Sequence, residues 1–373
     1  MNNPFKFGEA VTGEYFTNRC KEIKDINKYI KSAQNLFIYS QRRLGKTSLI
    51  KTVLKGFEAD SSVITIYVDL QRASTPGQFI EVYAKSITKA FSTKKEKIEK
   101  ITGFFQKLIP FFEYTEGGNI KVSFDFSRTA SGMGKALEEV YEIPQRIAEK
   151  YNKRVAVVFD EFQEISKYNG IEFEKNLRSF VQHHSGVCYI FMGSKTHVIR
   201  DMFENADRAF YQAAKIYPID TISKEDLIKF IQERFGSTGR KIDEILAGEI
   251  ANLSQNSPFH VQMLCSQIWL EGSGIINKED VDSAVESLMH TQNELYYSWY
   301  NNVSMHQRAV LGSLSRETEI FSNDVRLKNN LGSTSTVQSS VKTLVNKNYV
   351  VKKDKKYEIY DPFFRIWLRK NTL

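Results

Sequence analysis

Near its start the chain carries an apolar and aromatic run, Leu36-Phe37-Ile38-Tyr39, then a polar turn, Ser40 to Leu44, then Gly45-Lys46-Thr47 at the head of a stretch with apolar residues at Leu49, Ile50, Val53 and Leu54. The first run reads as a buried strand and the last as a helix. Strand, phosphate-sized loop and helix, joined at Gly-Lys-Thr, are the parts of a P-loop. Unpaired N–H groups at a helix N-terminus, together with the helix dipole, favour an anion there. Gly45 lets the backbone approach a phosphate without a Cβ in the way. Lys46 is placed to reach the β/γ oxygens, and the Thr47 hydroxyl to ligate Mg²⁺. The expected nucleotide-binding set is Ser40, Gln41, Arg42, Arg43, Leu44, Gly45, Lys46, Thr47 and Ser48. Ser40 stands where the motif wants glycine, so the loop must begin its turn without one.

A P-loop needs an acidic partner at the end of another strand. Val155-Ala156-Val157-Val158-Phe159 reads as a strand buried on both faces, and Asp160-Glu161 follows at its C-terminal end. Ligands of open parallel sheets bind there. Asp160 is expected to hold Mg²⁺ through a water, and Glu161 to polarise the attacking water as catalytic base. Val187 to Met192 reads as another buried strand and ends at Gly193-Ser194. Ser194 is read as a sensor of the γ-phosphate or the water, with a simple helix cap as the alternative. Val63 to Leu70 and a short run, Ala214 to Ile219, supply two further strands. Arg208 precedes the last of them, where such sheets can aim an arginine at a neighbouring subunit's phosphate, and an ordinary surface arginine is the alternative. His183-His184 has no third ligand nearby and reads as solvated.

A length of 373 residues suits two or three domains. Residues 1–220 form the expected α/β core: a P-loop NTPase with a five-stranded parallel sheet. An arm at about 94–135 interrupts it. It comprises a charged stretch (Lys94 to Lys100), an apolar cluster from Phe104 to Phe112, and a hairpin whose alternating strand runs Ile120 to Phe126 after the turn Glu116-Gly117-Gly118-Asn119. Asn18 is the expected N-cap of a preceding helix with Ile23, Ile26 and Ile30 inward. From Thr221 strands give way to helices, so 221–297 reads as an all-α lid. Residues 298–373 read as three helices and a lysine-rich hairpin, a winged helix-turn-helix. Its third helix carries Ser335, Gln338, Ser339, Lys342 and Thr343 on the expected groove-facing side. From Arg326 to Leu373 there are 11 Lys and Arg against 3 Asp and Glu, which accounts for the chain's entire net charge of +8. A local excess of that kind suits double-stranded DNA, with a solvated basic surface, packing on the ATPase or a protein partner, or self-association as the alternatives. No apolar run is long enough to span a bilayer, no leader opens the chain, and Cys20, Cys188 and Cys265 lack metal-ligand spacing. These features read as cytoplasmic, without a membrane partner.

The chain resembles the archaeal-type ATPase family, P-loop proteins of the additional-strand group related to AAA+ and STAND ATPases. The resemblance rests on Asn3-Pro4-Phe5 with Phe16-Thr17-Asn18-Arg19 and Glu22-Ile23, on Arg42-Arg43-Leu44-Gly45-Lys46-Thr47, and on Phe159-Asp160-Glu161-Phe162-Gln163. Gly193-Ser194, Ser257-Pro258-Phe259-His260-Val261 and the closing Tyr360-Asp361-Pro362-Phe363-Phe364-Arg365-Ile366-Trp367-Leu368-Arg369 extend it over nearly the full length. It implies ATP and Mg²⁺ binding at Lys46, Thr47 and Asp160, with Glu161 as base; Arg19, at the head of the helix before the P-loop strand, is expected beside the nucleotide from that position. Ser40-Gln41 departs from the family's usual Gly-Pro at the loop start. The expected function is an ATP-driven switch that binds ATP or ADP. The alternative is a nucleotide-binding scaffold with little turnover. A phosphotransferase is disfavoured, since no second substrate-acid site is evident.

Overall fold

The computed structural model describes residues 2–372 apart from 59, 61, 92–103, 106–109, 115–119, 125–131, 169, 195, 318, 354 and 355. The charged stretch Lys94 to Lys100 and the turn at 116–119 therefore lie outside the described residues. The chain divides into two compact units, one of residues 10–220 and one of residues 1–9 with 221–373.

The first unit is a parallel α/β layer structure. Its strands are β1 (Leu36–Tyr39), β2 (Val63–Asp69), β5 (Arg154–Asp160), β6 (Val187–Gly193) and β7 (Lys215–Pro218), in the order β2-β5-β6-β1-β7 and parallel at every pairing. Thus β6 stands between the P-loop strand and the Asp160 strand. Two core layers explain why β1, β5 and β6 read as continuous apolar runs. Val155, Val157 and Phe159 enter one layer with Phe37, Tyr189 and Phe191, while Ala156 and Val158 enter the other with Leu36, Ile38, Ile190 and Met192. Helices α1 (Cys20–Lys31) and α2 (Lys46–Gly56) cover the second layer through Ile26, Ile30, Leu49, Ile50 and Val53. The first is covered by α3 (Pro76–Phe91), α4 (Gly132–Tyr151), α5 (Ile171–Val181) and α6 (Thr196–Glu204). Between α3 and α4 lies the hairpin β3 (Pro110–Tyr114) with β4 (Ile120–Phe124), antiparallel and closed at Tyr114 opposite Ile120.

Two expectations in this unit need correction. Helix α1 begins one residue late: Arg19 occupies the N-cap position with φ 97°, Asn18 has φ 42°, and the Asn18 side chain accepts the Arg19 N–H instead of capping the helix. His184 is buried, not solvated, because its Nδ1 pairs with the hydroxyl of Tyr189 at 2.7 Å.

The second unit holds α7 (Lys224–Gly236), α8 (Glu244–Leu253), α9 (Pro258–Glu271) and α10 (Lys278–Asn301). The winged helix follows with α11 (Met305–Arg316), α12 (Asn323–Lys328), α13 (Thr334–Asn346), the hairpin β8 (Val350–Lys353) with β9 (Lys356–Ile359), and α14 (Pro362–Asn371). One core joins helical module and winged helix, running from Phe5 and Leu227 through Leu264 and Leu288 to Leu344, Phe364 and Trp367. The closing segment is itself a helix. Asp361 caps it by accepting the N–H groups of Phe363 and Phe364 at 3.0 and 3.1 Å, and Pro362 fills the first turn, where its missing N–H costs nothing. No described helix is long and apolar enough to cross a membrane.

Candidate active site

The loop after β1 closes on its own lysine. Lys46 Nζ donates to the Ser40 carbonyl and hydroxyl, both at 3.1 Å, and to the Gln41 carbonyl at 3.3 Å. Burial pushes its pKa down to about 8, against the opposing pull of Glu161 and Asp160 and with a small contribution from the Arg42 charge. The left-handed backbone of the loop falls at Arg43 (φ 65°) and Gly45 (φ 82°), not at Ser40. Ser40 therefore needs no glycine, and its buried hydroxyl serves as a partner of the lysine instead. At Gly45 no protein atom among the described residues lies within 4 Å of where a Cβ would stand, and its φ of 82° is the left-handed conformation that favours glycine. Arg42 and Arg43 are exposed in the turn, and Leu44 is buried. Ser48 is buried too and accepts the N–H of Val11 at 3.0 Å, which ties the preceding segment to α2.

The ends of β5 and β6 bring the acidic residues to the same place. Thr47 donates to Asp160 Oδ2 at 3.1 Å, and the Tyr67 hydroxyl of β2 donates to that same oxygen. Asp160 Oδ1 accepts the N–H of Glu161 at 3.0 Å. Burial raises the Asp160 carboxyl above its usual range, while the bonds from Tyr67 and Thr47 oppose it. Glu161 sits in the left-handed region at φ 52°. Its Oε2 accepts the Ser194 hydroxyl at 2.9 Å and the Gln163 amide. Gln163 is buried, and its amide oxygen has no partner among the described residues. Gly193 leaves room for it: a Cβ there would stand 2.5 Å from Ile199 Cδ1 and closer still to the Gln163 oxygen.

Lys46, Thr47, Asp160, Glu161 and Ser194 are thus brought together. Two expected residues are engaged elsewhere. Arg19 is buried, and its guanidinium donates to the Leu44 carbonyl at 3.2 Å, to the Asp220 carbonyl at 2.6 Å and to Glu22 at 2.7 Å, so it braces the loop from behind. Arg208 is held by two carboxylates of its own chain, Glu174 and Asp201, because Glu174 is almost wholly buried and needs a counter-charge. Tyr67 and Gln163 are the members that motif reading missed. Both sit in stretches already marked as strand or acidic motif, but Tyr67 meets Asp160 only through strand order, and Gln163 meets Glu161 only through the turn after β5. In the second unit, His260 turns inward, with Nδ1 2.9 Å from Ser257 Oγ and Nε2 3.4 Å from Asp361 Oδ2. On the winged helix Ser335, Gln338, Ser339 and Lys342 are exposed and Thr343 is half-buried, and Lys352, Lys353 and Lys356 are exposed on the hairpin.

A P-loop opening onto paired carboxylates, with an extra strand between their two strands, defines the class of a P-loop ATPase. The particular family follows from comparison: an ATPase domain predominantly from Archaea matches residues 16–252, well over half of the chain, and the protein belongs to this family. A probable winged helix domain matches residues 294–370. Family membership implies nucleotide binding. The chain is 22% identical over 247 residues to an uncharacterized ATP-binding protein of Methanocaldococcus jannaschii, an alignment that spans 62% of this chain and 63% of that protein. Its fold is similar over 98% of its length to 99% of the Walker-type ATPase PABY2304 of Pyrococcus abyssi, at TM-score 0.66 and 18% identity. It is also similar to the ORC1 protein of Aeropyrum pernix, solved in complex with DNA, at TM-score 0.51 and 14% identity, over 96% of this chain and 94% of that one. At such identities the likeness to both structures is one of fold.

Proposed function

We propose that the protein is a Mg²⁺-dependent ATPase acting as a nucleotide-driven switch, and that its winged helix binds double-stranded DNA. The observation that carries the enzymatic reading is the division of labour between two adjacent carboxylates. Asp160 faces the Thr47 hydroxyl at 3.1 Å, while Glu161 is turned to Ser194 at 2.9 Å. The first pair suits a hard cation, since two oxygens converge beside the loop. Magnesium, when bound, neutralises charge on the phosphate oxygens. Lys46 exchanges the Ser40 and Gln41 carbonyls for the β/γ oxygens of ATP. Glu161 takes the proton of the attacking water, held at its station by Ser194 and Gln163. Arg19 shapes the loop through the Leu44 carbonyl, and Arg208 has no part in this reading. For the winged helix, the exposed polar side of α13, the lysine hairpin and the fold neighbour solved with DNA support a duplex partner.

Nucleotide binding and phosphate release by the purified protein test the enzymatic part. Lys46→Ala removes a charge-assisted partner of the phosphates and should weaken ATP binding about 10- to 100-fold. Glu161→Gln should keep binding and lose about 10²- to 10⁴-fold in turnover. A Glu161→Gln protein that hydrolyses ATP at the wild-type rate would sink the base assignment. Wild-type binding with no turnover would favour a nucleotide-binding scaffold.

A further inference from the structure

We infer that Tyr67 is a positioning residue for the metal–nucleotide site, fixing the Asp160 carboxylate from the neighbouring strand. The inference rests on the reading of that site given above and adds a residue that the P-loop and acidic motifs do not contain. The register between β2 and β5 pairs Tyr67 with Val158 and Asp69 with Asp160. Side chains alternate along a strand, so Tyr67 and Asp160 share one face of the sheet and are diagonal neighbours across the pair. From there the Tyr67 hydroxyl donates to Asp160 Oδ2, the oxygen that also accepts from Thr47.

A carboxylate rotates over a broad range about its last torsion unless its oxygens are held. Here three donors from three elements hold it: Tyr67 on β2, Thr47 on α2, and the Glu161 N–H after β5. Thr47 is also the expected metal ligand, and the N–H fixes only Oδ1. The Tyr67 hydroxyl reaches both Asp160 and the Thr47 hydroxyl, so it steadies the carboxylate next to the expected ligand. Hydrogen-bond partners of this kind, one step behind the ligands, orient them, and their loss costs about 10- to 100-fold in metal affinity. The Tyr67 ring is half-buried with the Lys51 ammonium 5.8 Å from its centroid, so Tyr67→Phe keeps the ring contact and removes a single oxygen.

The test is binding of ADP by calorimetry with and without Mg²⁺, together with Mn²⁺ binding to the ADP complex followed by electron paramagnetic resonance. Tyr67→Phe should bind ADP without metal to within about twofold of wild type, and its ADP complex should bind Mn²⁺ about 10- to 100-fold more weakly. Tyr67→Met, apolar and equally without a donor, should behave the same way. If both variants hold Mn²⁺ as wild type does, or if metal-free ADP binding falls by the same factor, the positioning role is overturned. If wild type itself shows no Mn²⁺ binding in the ADP complex, the metal–nucleotide reading fails, which is a separate result.

Discussion

Lys46 is costly to the free protein at the scale of one residue. Its ammonium is buried among loop carbonyls, and its pKa falls from 10.5 to about 8. Between those values the unfolded chain binds a proton that the folded chain has released, so this residue makes stability rise with pH across that window. From pH 7.5 to pH 10 the contribution grows by about 2 kcal/mol, an upper figure because water relaxes buried charges. Urea unfolding of wild type and Lys46→Met should therefore diverge. The variant gains most at pH 7.5, and the gap narrows toward pH 10. A gap constant with pH would mean that the ammonium stays hydrated. The same residue shows what was legible and what was not. Its type and spacing marked it from the sequence, but the behaviour of Ser40 did not follow from residue type. The motif asks for glycine at Ser40, whereas the chain puts its left-handed turn at Arg43 and uses the Ser40 hydroxyl to hold the lysine.

Strands and helices were readable where both faces are buried or the apolar period is regular. The run from Val155 to Phe159 fills two core layers, so no polar residue interrupts it and its identity as a strand was plain. Strand order was not readable, because any of these apolar runs can pair with any other. Tyr67 entered the site only once β2 was placed beside β5, and Gln163 only once the turn after β5 brought its amide to Glu161. Helix α14 was missed because its stripe of Phe363, Phe364, Trp367 and Leu368 begins at a proline, and the Asp361 cap that permits this is visible only in the bonds it makes. One prediction belongs to the junction of elements at the end of β6. Gly193→Ala would put a Cβ 2.5 Å from Ile199 Cδ1 and against Gln163, so one of them must move. The expected cost is about 1–3 kcal/mol in stability. If Gln163 is what moves, Glu161 loses a donor, and turnover falls further than nucleotide affinity. Gly193→Ala with unchanged melting and turnover would show that the junction yields without strain.

At the scale of the whole molecule, charge is the feature that sets the winged helix apart, because residues 326–373 hold the chain's full excess of +8. Truncation at 326 is a poor probe of that charge. It would remove Leu331, Val341, Leu344, Phe364 and Trp367 from a core that also contains Leu264 and Leu288, and the helical module would lose its packing with it. Helix α13 is further fixed by His306, whose ring contacts Ser340 Oγ at 2.7 Å and the Leu331 carbonyl at 2.9 Å. Lysines on the wing are the better probe, since Lys352, Lys353 and Lys356 are exposed and none is part of the buried core. Each phosphate contact contributes about 0.9 to the slope of log affinity against log salt. The triple Lys352→Ala, Lys353→Ala, Lys356→Ala variant should therefore bind duplex DNA with a slope smaller by about 2 to 3, and ADP affinity should stay at the wild-type value. Lys278→Ala is the control: that lysine is paired with Glu249 and with Asp282, the latter at 2.9 Å, and its loss should leave the DNA slope unchanged. Equal slopes for the triple variant and wild type would move any DNA contact off the wing. No duplex binding at low salt would overturn the DNA reading and leave the module to a protein partner.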